Sequence, residues 1–111
     1  MSGSVPQVQS AIVNALRKAA NPRSLILFGS RARGDDNADS DIDLLIIQER
    51  SNWKMPTRRQ EIARLRQALP RTTSPVDVLL FTPEESAVWQ TARNHVIAEA
   101  MERGVVLYER P

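Results

Sequence analysis

The sequence contains no cysteine and a single histidine, His95. Without thiols there is no disulfide framework, no thiol nucleophile and no thiolate zinc site, and one imidazole does not build a histidine-rich metal centre. Aromatic residues are scarce, at 5%. No apolar run reaches the roughly 20 residues that a membrane-spanning helix needs. The N-terminal stretch MSGSVPQVQS also lacks the basic-then-apolar layout of a secretory signal, so a soluble, cytoplasmic protein is expected. Nor does one sign of charge dominate: Lys+Arg 15 against Asp+Glu 13 gives a net charge of +2, too little to announce a nucleic-acid binder.

What the chain does have is enough apolar material for a core, 41% of 111 residues. A folded chain of this length buries roughly two-thirds of the surface its unfolded form exposes, so one domain over residues 1–111 is expected. Its charges are segregated. Residues 1–34 carry bases and no acid, and residues 35–49 carry six acids and no base. Residues 50–71 then hold seven bases against the single Glu61. Such a basic stretch reads either as a solvated helix face or as a docking face for an acidic partner or RNA.

Hydrophobic spacing supplies the elements. Val8, Ile12 and Leu16 recur every four positions, predicting an amphipathic helix over 5–20 that Asn21-Pro22 ends. Residues 24–28 form a short apolar run stopped by Gly29, and 41–47 alternate before becoming apolar; both read as strands. Thr57 and Gln60 have capping-box spacing ahead of Ile62, Leu65 and Leu69, predicting a helix over about 57–69 closed by Pro70. Residues 76–81 read as a third strand. Thr82-Pro83-Glu84-Glu85 combines an N-cap, a first-turn proline and a capping glutamate. An apolar stripe from Val88 to Met101 continues that helical region, with a break near Arg93, up to Gly104, and 105–108 read as a last strand. The expected fold class is α/β (α+β): a small mixed sheet of about four strands with helices packed on it.

The polar segment between the first two strands carries the chemistry. Gly29 and Ser30 end a strand and precede the helix-compatible Arg31-Ala32-Arg33. That arrangement suits an ordinary turn and equally a cradle of backbone N–H groups for a phosphate. It is not a P-loop, because Asp35 and Asp36 follow Gly34 where lysine and Ser/Thr are required, and the dinucleotide glycine triplet is missing. Asp41 and Asp43 stand two apart in a predicted strand, so they project from one face. Their repulsion calls for a counter-charge, and Mg²⁺, which takes one or two carboxylates and keeps water and phosphate oxygens, would supply it. Asp77 interrupts an otherwise apolar strand, where an unpaired charge is costly to bury. Three aspartates on neighbouring strands would hold two Mg²⁺ ions roughly 3.5–4 Å apart, the arrangement of two-metal phosphoryl chemistry.

Gly29-Ser30, ten intervening residues, Asp41-Ile42-Asp43 and then Asp77 resemble the signature of the DNA polymerase β-type nucleotidyltransferase superfamily. The fuller string Phe28-Gly-Ser-Arg-Ala-Arg-Gly34, with Ser40-Asp-Ile-Asp-Leu-Leu45, resembles its minimal one-domain members, often paired with HEPN ribonuclease toxins. The resemblance implies that Gly29 and Ser30 bind the triphosphate and that Asp41 and Asp43 coordinate Mg²⁺. It implies that Asp77 completes the metal site and helps activate the nucleophile. Arg31 and Arg33 would neutralise phosphate or a partner's acidic surface, or simply remain solvated. The implied reaction is transfer of AMP from ATP to a tyrosine hydroxyl of a HEPN-type toxin, the chain acting as antitoxin. No membrane contact and no direct nucleic-acid contact are expected, and assembly with like or unlike subunits is left open.

Two other readings remain at this level: nucleotidyl transfer to a small molecule, and an antitoxin that works by contact alone with its aspartates unused. Trp53 and Trp89 read as packing residues, and His95, with no partner at triad spacing, is assigned no role.

Overall fold

The computed structural model describes residues 5–28, 42–71, 76–89, 91, 98 and 104–111. Helix α1 spans Val5–Ala19 and strand β1 Ser24–Phe28. Strand β2 spans Ile42–Ile47, and a 3₁₀ turn follows at Arg50–Asn52. Helix α2 covers Arg58–Ala68, strand β3 Val76–Phe81, helix α3 Pro83–Trp89 and strand β4 Val105–Glu109. Every described element except the 3₁₀ turn was expected from hydrophobic spacing. The expected continuation of α3 through 90–103 lies almost wholly outside the described residues, where only Thr91, as a turn, and Ala98, as helix, are assigned.

The four strands form one mixed sheet in the order β3-β2-β1-β4. β1 pairs antiparallel with β2 and β4, whereas β2 and β3 run parallel. A parallel pair needs a crossover, and α2 occupies that connection. The two central strands are the continuous apolar runs of the sequence: every β1 residue is buried, and in β2 only Asp43 is half-exposed. Strands covered on both faces read in this way.

One face holds Leu25, Leu27, Ile42, Leu44, Ile46, Val78 and Leu80 under Ile12 and Leu16 of α1 and Leu65 of α2. The other holds Ile26, Phe28, Leu45 and Ile47, with Leu79 and Phe81 packed against them. On β4 a bulge opposite Leu25 and Ile26 shifts the register by one residue, and Leu107 and Tyr108 both pack against the first cluster.

Local chemistry fixes the helix ends. Thr57 Oγ1 accepts a hydrogen bond from Gln60 N at 3.2 Å and donates to Gln60 Oε1 at 3.0 Å. Before α3, Glu85 N donates to Thr82 Oγ1 at 3.1 Å and Thr82 N donates to Glu85 Oε1 at 2.9 Å, a reciprocal capping box. Arg17 and Lys18 occupy the last turn of α1, where cations complement the helix dipole.

Candidate active site

Strand register brings two of the candidate carboxylates together. Asp43 is the Cα partner of Asp77 across the parallel β2/β3 pair, and on its other side Asp43 is paired with Phe28 across β1/β2. Alternation sets the face. Leu45 and Ile47 follow Asp43 at even spacing, and Leu79 and Phe81 follow Asp77, all within the second apolar cluster. Phe28, Asp43 and Asp77 therefore form one row across three strands at one end of the sheet, on that same face. Neighbouring strands lie about 4.8 Å apart, so two carboxylates in such a row repel unless a cation lies between or beside them.

Asp43 is half-buried and Asp77 exposed. Asp77 lies one residue into edge strand β3, where solvent reaches its carboxylate. Asp43 has an interaction partner of its own. Gly29, Ser30, Arg31, Arg33 and Asp41 lie outside the described residues. In sequence, Gly29 follows directly on Phe28, and Asp41 precedes Ile42.

The donor chemistry of the described pair fits a hard divalent ion. Both groups are carboxylates, no sulfur or imidazole is nearby in sequence, and Mg²⁺ requires only one or two such ligands. Among the described residues no group of three or more metal-ligating side chains gathers, so the described part of the site is this pair.

A second polar centre, unforeseen in the sequence, braces the opposite end of β2. Glu61 on α2 has no solvent exposure. Its carboxylate accepts from Arg64 Nη2 at 2.7 Å, Arg64 Nε at 3.1 Å, Gln48 Nε2 at 3.1 Å, and the backbone N–H groups of Lys54 and Met55 at 3.1 and 3.0 Å. Burial pushes this carboxyl up, yet the hydrogen bonds from Arg64, Met55 and Lys54 and the Arg64 charge outweigh burial and hold it below the usual carboxylate range. Arg64 also donates through Nη1 to Ala19 O at 2.8 Å, tying α2 to the end of α1. The only sequence signal for this centre is that Glu61 is the lone acid of a basic segment, three residues before Arg64.

Much of that basic segment is internal scaffolding. Arg58 donates through Nε to Leu80 O at 3.0 Å and grips Glu85 through both carboxylate oxygens. Its guanidinium also lies 5.5 Å from the ring centroids of Trp53 and Phe81. Trp53, itself under Arg50 at 4.6 Å, donates Nε1–H to Gln48 O at 3.1 Å. It is a packing residue, as the sequence suggested.

A four-stranded mixed sheet with helices packed on it and two aspartates paired across its parallel strands is the architecture of polymerase β-like nucleotidyltransferases. The family model described as polymerase beta, nucleotidyltransferase matches residues 10–111, and the chain belongs to that family. It is similar in fold to a Sulfolobus solfataricus protein assigned to the nucleotidyltransferases, with a TM-score of 0.56 and 19% identity over 94% of this chain and 76% of that one. It is also similar to a chain of a toxin-antitoxin structure with AMP-PNP, with a TM-score of 0.53 and 20% identity over 92% of this chain and 73% of that one. A search of curated proteins finds no match.

Proposed function

We propose that the chain is a Mg²⁺-dependent nucleotidyltransferase that moves AMP from ATP onto a tyrosine hydroxyl of a partner HEPN-type toxin, and so acts as an antitoxin. The observation that carries the reading is the register that sets Asp43 beside Asp77. In the sequence Gly29-Ser30 and Asp41 adjoin the same strand ends. Family membership supports nucleotidyl transfer as the reaction class. The neighbour seen in a toxin-antitoxin assembly with AMP-PNP, an adenine nucleotide analogue, supports the choice of nucleotide and partner.

In this reading Gly29 and Ser30 cradle the triphosphate through backbone N–H and hydroxyl donors, and Arg31 and Arg33 offset its charge. Asp41, Asp43 and Asp77 hold the metal. When bound, Mg²⁺ withdraws charge from the phosphates and lowers the pKa of a coordinated hydroxyl. The tyrosine oxygen attacks the α-phosphorus, the bond from that phosphorus to the bridging oxygen breaks, and pyrophosphate leaves. A phenol with a pKa near ~10 must lose its proton on the way, and in this reading Asp77, exposed on β3, accepts it.

The test is incubation of the purified chain with α-labelled ATP, Mg²⁺ and lysate of its own cells. Label on one protein, localised to a tyrosine and lost with Asp43→Asn, supports the proposal. Label on a small molecule, or toxin neutralisation that survives Asp43→Asn with Asp77→Asn, contradicts it.

A further inference from the structure

At the end of the sheet away from Asp43 and Asp77 lies a cationic groove that the proposed chemistry does not use. Two shallow depressions, of ≈ 420 and ≈ 260 Å³, adjoin through their shared Lys18. They are lined by Asn14, Arg17, Lys18 and Asn21 around the end of α1 and by Asn52 and Lys54 from the segment after β2. β1 begins opposite the end of β2, with Ser24 paired to Ile47. The groove is therefore about four residues, or roughly 13 Å of strand, from the aspartate row.

Among the described residues its charge is uncompensated. Neither Lys18 nor Lys54 has an ion-pair partner among the described residues. The nearby acids are engaged elsewhere: Glu61 is buried against Arg64, and Glu49 is bound by Arg23 and Arg110. Arg17 is held 4.8 Å from the centroid of the Tyr108 ring, which fixes its guanidinium at the groove's edge. Side chains that carry charge into solvent cost little, but a groove of like charges with no acid among its described lining residues attracts an anionic surface.

We infer that this groove docks an acidic segment of a partner protein. Carboxylates would pair with Lys18, Lys54 and Arg17. The asparagine amides both donate and accept, which suits a peptide backbone presenting N–H and C=O groups; a phosphodiester backbone presents acceptors only. The Asn52 amide already donates to Glu49 at 3.4 Å, leaving its Oδ1 for an incoming N–H. The aromatic rings nearest the groove are covered, Tyr108 by Arg17 and Trp53 by Arg50 and Arg58. The stacking platforms on which single-stranded nucleic acid depends are thus closed.

The experiment titrates the full chain, ¹⁵N-labelled, with a ten-residue polyglutamate peptide and separately with a ten-nucleotide oligouridylate, at about 0.15 M salt, where exposed charges are screened beyond ~8 Å. The inference expects saturable shifts of the amides of 14–21 and 52–54 with the peptide. Lys18→Glu with Lys54→Glu should weaken binding at least about tenfold, against less than about twofold for Arg59→Glu with Arg66→Glu on α2. The neutral pair Lys18→Gln with Lys54→Gln serves should charge reversal disturb the fold, and Asp43→Asn should leave peptide binding unchanged. Absence of saturable shifts, equal losses from both arginine and lysine pairs, or tighter oligouridylate binding in the groove overturns it.

Discussion

Asp43 and Asp77 are separated by 33 intervening residues, yet strand pairing makes them neighbours. Asn at either position keeps size and hydrogen bonding while removing the charge a cation needs. Each single substitution should lower label transfer by at least about a hundredfold, and the double substitution should cost little more than the worse single one, because groups acting on one metal are not additive. Initial rates of transfer check both statements. Glu61 belongs to a different account. Replacing it with Ala leaves Arg64 beside an uncompensated buried space and strips acceptors from the N–H groups of Lys54 and Met55, so unfolding stability should fall by about 3–5 kcal/mol in urea titrations. The aspartates stood out in the sequence because acids in apolar strands are rare. Glu61 did not, because its burial depends on Gln48, 13 residues away, and on backbone groups of a loop that no periodicity describes.

At the level of elements, strong periodicity and paired caps were legible from residue spacing alone. The Thr57/Gln60 and Thr82/Glu85 spacings became the observed caps, and the uninterrupted apolar runs became the two central strands. Strand order was not legible: local spacing carries no information on which strand lies beside β1, and the bulge in β4 arises only on pairing. The 3₁₀ turn at Arg50–Asn52 was missed for a similar reason, since its Trp53 is held by Gln48 O and two arginines rather than by an amphipathic repeat. Thr82→Ala removes one half of the capping box before α3 and should cost about 1 kcal/mol. The Arg58 grip on Glu85 then has a less firmly set helix start to hold, and thermal unfolding of the variant measures the loss.

For the whole molecule, acid stability draws on three carboxylates, among the described residues, whose folded values are depressed. Burial raises each of Glu49, Glu61 and Glu85, but hydrogen bonds and the charges of Arg110, Arg64 and Arg58 respectively outweigh it. A carboxyl lowered on folding contributes stability that is complete above its unfolded value, near ~4.3, and is lost as pH falls through the folded value. Urea midpoints should therefore hold down to about pH 5 as far as these groups govern them, then fall below about pH 4. Glu61→Gln should flatten that fall. The described core is built from apolar clusters on both faces of the sheet. Chelation of divalent ions should thus abolish nucleotidyl transfer while moving the thermal midpoint little. The most direct test of the central claim, that the aspartate row is a metal-dependent nucleotide site, needs no acceptor: calorimetric titration of AMP-PNP into the chain with Mg²⁺, with chelator, and into Asp43→Asn with Asp77→Asn. Binding that requires Mg²⁺ and is lost in the double variant is the predicted result. Mg²⁺-independent binding, or binding that the double variant retains in full, would contradict it.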